Sequence, residues 1–150
     1  MAPEIRHREL QLERVPRDVL LRDLDDDGTS ELIILVSPPN QLLVYRHDSA
    51  EDGEDKWVES NKYDLLDGDI SSKRKALLAR ELESGTLEVL ISSDEGIQRL
   101  QLQAGARAQW LTPRENESRK NWWLADLDGD GHEDVVEHTS ASDAPLRWYR

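Results

Sequence analysis

The stretch LLRDLDDDGTSELIIL (residues 20–35) recurs near the other end of the chain as WLADLDGDGHEDVVEH (residues 123–138). Both read as an apolar run, then D-x-D-x-D-G, then an acid three residues after the glycine, then an aliphatic or β-branched run. A degenerate third copy, LLARELESGTLEVLIS (residues 77–92), aligns once a single loop residue is deleted. Glu81 then matches Asp23 and Asp126, Gly85 matches Gly28 and Gly131, and Glu88 matches Glu31 and Asp134. A period of about 50 residues points to a stacked or radial β-repeat rather than a helical solenoid.

The flanks extend each copy. Two short strand candidates follow each loop: ELIILVS and NQLLVYRH, LEVLISS and GIQRLQLQ, EDVVEHT and APLRWYR. DKWVESNKYDL (55–65) and AQWLTPRE (108–115) lie between the copies, each with a Trp. Val19-Leu20-Leu21, Leu77-Leu78-Ala79 and Trp122-Trp123-Leu124 precede the loops and are apolar on successive residues, as in a strand buried on both faces. KRKALLARELE (73–83) consists of good helix formers, yet the repeat alignment places it in a strand. Residues 37–40 and 92–96 read as turns, and the acidic run from Asp48 to Asp55 as a solvated hairpin tip.

Each of the first two repeats supplies four strands and the third supplies three. Glu9-Leu10-Gln11-Leu12-Glu13-Arg14-Val15 alternates polar and apolar residues and is the candidate for the missing strand. The expectation is therefore one all-β domain over residues 1–150, with repeats at about 17–65, 74–115, and 119–150 plus 8–15. It comprises about three four-stranded antiparallel β-propeller blades, the N-terminal strand completing the last. Three blades leave two open faces, so the chain is expected to be half of a ring closed by pairing with a second copy, or part of a larger propeller.

Acidic residues number 32 and basic residues 19, a net charge of −13 over 150 residues. That balance argues against a nucleic-acid or anionic-membrane binder, since both require a basic face. Hydrophobic residues make up 37% and charged residues 34%, which predicts a thin core under a highly charged surface. The absence of cysteine excludes disulfides, thiolate metal sites and cysteine nucleophiles. No apolar run approaches the ~18 residues of a membrane span, and the start, MAPEIRHREL, shows no signal-peptide h-region. His7, His47, His132 and His138 are scattered, and no G-x-S-x-G, P-loop or H-E-x-x-H motif occurs. Asn116-Glu117-Ser118 is a glycosylation sequon of the kind met by chance, and Lys73-Arg74-Lys75 reads as the solvated start of a strand. The five Trp recur with the repeats as blade packing, with Trp148 or Tyr149 the candidate ligand-facing aromatics.

The acidic loops carry the chemistry. Calcium takes 6–8 oxygens from carboxylates, carbonyls and water, and a glycine at position 6 permits the sharp turn around it. Loop one offers Asp23, Asp25, Asp27, the carbonyl of Thr29, and Glu31. Loop three offers Asp126, Asp128, Asp130, the carbonyl of His132, and Asp134. Acidic Asx-type turns without metal are the plainer alternative. The middle loop, with Glu81, Glu83 and Ser84, is one residue short and is expected to stay empty. Loop three also matches the EF-hand pattern through Glu137 at position 12, but an EF-hand needs flanking helices, and Ile34 holds that position in loop one. What the two loops share stops at position 9, as in a strand–loop–strand site.

With its D-L-D-G-D-G-x-x-D core between apolar strands, this unit resembles the FG-GAP/VCBS repeats of integrin α-chain-like β-propellers. The resemblance spans nearly the whole chain, although the chain contains no Phe and neither the Phe-Gly nor the Gly-Ala-Pro element. It implies calcium in the strand-connecting loops as a structural ion, a ring of about seven blades, and an extracellular or periplasmic setting. The function it implies is a non-catalytic calcium-binding module, a scaffold for protein interaction or assembly, acting as a homo-oligomer or with the remainder of a larger propeller, and with a protein or glycan ligand. A carbohydrate-binding or hydrolytic propeller using the central channel is the alternative.

Overall fold

The computed structural model describes residues 9–49, 55–70, 76–111, 120–139 and 146–150. These residues form eleven strands and no helix. The first sheet contains β1 (Pro16–Arg22), β2 (Glu31–Val36), β3 (Gln41–Ser49) and β4 (Asp55–Asp64), paired antiparallel in that order. The second contains β5 (Leu77–Glu81), β6 (Leu87–Ser93), β7 (Gly96–Gln101) and the short β8 (Gln109–Trp110). The third pairs β9 (Lys120–Ala125), β10 (Asp134–Thr139) and β11 (Arg147–Tyr149), with β10 in the middle. Each sheet is a blade-like meander built from consecutive strands, as the repeats predict. Of the helix formers of 73–83, those described include β5, because pairing with β6 buries Leu77 completely; a helix would turn half of that apolar run to water.

Residue alternation along the central strands orders the three layers. Ile33 and Leu35 of β2 pack with Leu77, Val89, Ile91 and Leu100 of the second sheet. Leu90 of β6 points the other way and joins Ile97 and Val135, with Trp122, Leu124 and Tyr149 packed around them. The second sheet is thus sandwiched between the other two. Asp18 of β1 bolts the first pair of layers, its Oδ2 accepting the backbone N–H groups of Ala76 (2.8 Å) and Leu77 (2.9 Å). Gln98, fully buried, exchanges two hydrogen bonds with the backbone of Leu66 in the crossing segment.

Arg80 bolts the second pair of layers. Its Nε donates to Glu88 Oε2 at 2.8 Å, and a terminal guanidinium nitrogen donates to the carbonyl of Glu133 at 2.8 Å. Arg99 holds the other oxygen of Glu88 at 3.0 Å.

Two expectations differ from this structure. Residues 9–15 form no strand and do not complete the third sheet, which has three strands among the described residues. Instead Leu10 and Leu12 pack on the outer face of the first sheet, against Ile34, Val36 and Leu43; the apolar positions of the segment found the nearer hydrophobic surface. Burial of the strand that enters the loop goes furthest in the central sheet, where Leu77 is fully buried and Leu78 and Ala79 half-buried. Val19 and Leu21 of β1 are 51% and 59% exposed, and Trp123 of β9 is 43% exposed, because none of the described layers covers those ends. The tip at 50–54, the Lys73–Lys75 run, the Asn116–Ser118 sequon, His7 and residue 8 lie outside the described residues.

Candidate metal centre

Loop one leaves β1 and returns as β2; loop three leaves β9 and returns as β10. Both close by one hydrogen-bond scheme. The first aspartate accepts the N–H of the position-6 glycine: Gly28 to Asp23 Oδ2 at 2.8 Å, and Gly131 to Asp126 Oδ2 at 3.0 Å. The third aspartate accepts the N–H two residues on: Thr29 to Asp27 Oδ1 at 2.7 Å, and His132 to Asp130 Oδ1 at 2.8 Å. Position 9 accepts the N–H of position 2: Leu24 to Glu31 Oε2 at 2.8 Å, and Leu127 to Asp134 Oδ2 at 3.2 Å. The glycine turns left-handed in each loop, at φ +86° for Gly28 and +90° for Gly131, where a Cβ would be strained even in open space.

This scheme gathers carboxylates. In Asp23, Asp25 and Asp27, and again in Asp126, Asp128 and Asp130, one oxygen per residue lies within 4.8 Å of the other two. Like charges at that spacing repel strongly unless a cation joins them. The two triads can hold a metal ion. Asp23 fits that use further: its Oδ1 is buried and accepts no hydrogen bond, although Oδ2 is engaged by Gly28. Arg150 pairs with Asp128 Oδ2 at the rim of loop three.

The structure brings the six aspartates together as two triads of three, and the other four expected ligands flank them. Thr29 and His132 sit at the turn where their N–H groups bind the third aspartate. Glu31 and Asp134 are 4% and 5% exposed and clamp the loop base. Their clamping role is not evident from spacing alone, because it depends on the loop folding back over seven residues.

The middle loop is closed by backbone. Leu82 N–H donates to the carbonyl of Thr86 at 3.0 Å and Gly85 N–H to that of Leu82 at 2.8 Å. Its position-9 counterpart, Glu88, faces Arg80 and Arg99 and makes no clamp. A guanidinium pair thus neutralises the acid that in the other two repeats ties down the loop.

A cleft of about 570 Å³ opens beside loop one and the middle loop. Arg46, Ser60, Asn61, Tyr63 and Gln103 line it, with Asp25 and Glu31 on its wall. Burial pushes the Tyr63 phenol above its ordinary pKa, so it stays neutral and able to donate at physiological pH. Comparison of the chain with family models, curated proteins and solved structures found no match.

Proposed function

We propose that the chain is a non-catalytic β-repeat module that binds one calcium ion in loop one and one in loop three, and that it serves as a scaffold for assembly or protein interaction. The observation that carries this reading is the shared closure of two separate loops, each with three carboxylates close together and with its first and third aspartates held by the same hydrogen bonds. The donors are oxygens throughout, with no imidazole or thiolate among the triads, which suits a hard cation. A flexible loop of carboxylates and carbonyls favours calcium over magnesium, which demands a tighter octahedron.

Asp23, Asp25 and Asp27 with the Thr29 carbonyl would hold one ion, and Asp126, Asp128 and Asp130 with the His132 carbonyl the other. Glu31 and Asp134 either complete the shell with their second oxygen or keep the loop base closed. The ion would supply charge neutralisation and a fixed turn. The scattered histidines and the commitment of the clustered carboxylates to these turns favour a structural over a catalytic role. The resemblance of the loops to FG-GAP/VCBS repeats supports an extracellular or periplasmic setting, where calcium sites of modest affinity fill. Among the described residues no helix is long and apolar enough to cross a membrane.

A calcium titration of thermal stability tests the proposal. A ligand that binds only the folded state must raise the melting temperature, by the equivalent of about 2.7 kcal/mol at a hundredfold excess over Kd. The expected result is a rise with calcium, reversed by chelator and weaker with magnesium. A melting temperature unchanged from chelator to millimolar calcium overturns it.

A further inference from the structure

The cleft between the first two layers holds a cation that the fold leaves unpaired. Val44 and Arg46 of β3 share the face on which Leu42 packs toward the second sheet, and both line the cleft. The register of β3 and β4 shifts between Val44, opposite Asn61, and Tyr45, opposite Glu59, which leaves Ser60 as the extra residue of a bulge. The bulge decides what faces the cleft. Strict alternation from Tyr63 through Asn61 would bring Glu59 there. Instead Glu59 stands opposite Tyr45 and accepts from its hydroxyl at 3.3 Å. Ser60 lines the cleft in its place, its own hydroxyl donating to the Val44 carbonyl at 3.1 Å. Among the described residues, Arg46 has no carboxylate partner and makes no hydrogen bond.

We propose that this cleft binds a small hydroxylated carboxylate of the hexuronate class, with the carboxylate on Arg46, and that calcium in loop one licenses the binding. The calcium dependence rests on the cation reading given above. A planar guanidinium offers two parallel N–H donors that match a carboxylate. Asn61, Gln103 and Tyr63 line the same cleft with groups that both donate and accept, as ring hydroxyls require. Leu24, Val44 and Leu87 add apolar surface for the C–H face of a sugar ring. At about 570 Å³ the cleft lies within the range of small-molecule sites.

The acids on the cleft wall make calcium a condition of binding. Asp25 and Glu31 border the cleft, and Asp25 belongs to the triad with Asp23 and Asp27. Without a cation these carboxylates repel an incoming anion, and a divalent ion offsets much of that charge at the wall. Loop three differs at the matching aspartate, because Asp128 is paired with Arg150, whereas Asp25 faces the cleft. Coupling of this kind is reciprocal, so the ligand must tighten calcium binding by the factor by which calcium tightens the ligand.

Calorimetric titration of the full chain with sodium D-glucuronate, in saturating calcium and in chelator, tests the inference. Acetate carries the charge without the hydroxyls, and D-glucose the hydroxyls without the charge. In calcium, glucuronate is expected to bind more tightly than either, and chelator is expected to weaken it. Arg46→Gln should weaken it about tenfold or more, as loss of a hydrogen bond to a charged group does. That variant removes no contact within the described fold, so it should keep the calcium-dependent rise in melting temperature. It also shares with the wild type any association of calcium with glucuronate in free solution. No binding of millimolar glucuronate in calcium overturns the inference. So does binding that is equal in Arg46→Gln, equal in chelator, or matched by acetate or glucose. If calcium still raises the melting temperature of the wild-type chain in any of these events, the cation-binding reading stands and the ligand site alone fails.

Discussion

At the scale of the residue, the loops are held in tension between hydrogen bonds and charge. Backbone N–H groups draw the first and third aspartates of each loop inward, and the triads place negative oxygens within 4.8 Å of one another. Removing one charge should therefore act with opposite signs in the two conditions. Asp27→Asn keeps an acceptor for the Thr29 N–H but relieves repulsion. In chelator the variant should melt above the wild type, and in millimolar calcium below it, so the two titration curves cross. Thermal scans of both proteins with and without calcium check this; a variant less stable in both conditions would show that repulsion does not govern the loop.

The triads were legible because D-x-D-x-D-G is local chemistry repeated twice. The work of position 9 was not. Glu31 and Asp134 differ by one methylene, yet each reaches the corresponding leucine N–H, because the longer side chain adjusts to a loop whose backbone is otherwise alike. Even the substitution of Asp26 for Gly129 leaves the backbone left-handed, at φ 58° against 77°, a conformation that aspartate tolerates better than most residues.

At the scale of the element, the central sheet depends on Arg80. It lies 2% exposed, bound to Glu88 within its own sheet and to the Glu133 carbonyl in loop three. Breaking a buried pair on one side strands the other charge, at a cost of about 3–5 kcal/mol. Arg80→Met should destabilise the chain by that order in denaturant unfolding. Adding Glu88→Leu should recover much of the loss, since two apolar groups replace the pair. An Arg80→Met variant that unfolds like the wild type would remove the guanidinium from any role in joining the layers. None of this shows in the repeat alignment. Glu88 aligns with the loop clamps, and only the strand register, which sets Arg80 opposite Glu88, turns it toward a cation instead. The strands themselves were legible from paired apolar runs, including β5 against its helical propensity, because the repeat carried information that the segment alone lacked.

At the scale of the whole molecule, charge and apolar surface oppose each other. Every copy carries a net charge of −13, so bringing two together costs electrostatic work that salt screens, with a Debye length of about 10 Å at 0.1 M and 3 Å at 1 M. Self-association between copies, expected from the sequence, should tighten as sodium chloride rises across that range, as measured by sedimentation or light scattering at fixed protein concentration. Weakening with salt would mean that ion pairs rather than apolar contact hold the copies together. The alternation of residues 9–15 identified a two-faced segment but not its partner, since a period of two fixes which side chains point inward and says nothing about which surface receives them.

Each layer is completed by consecutive strands before the next begins, and the bolts at Asp18 and Arg80 reach only to the adjoining layer. Such a chain suits synthesis from the ribosome. The first sheet has all its hairpin partners as soon as Asp64 has emerged, and each later sheet condenses on a surface already made, so little apolar strand waits unpaired while translation continues.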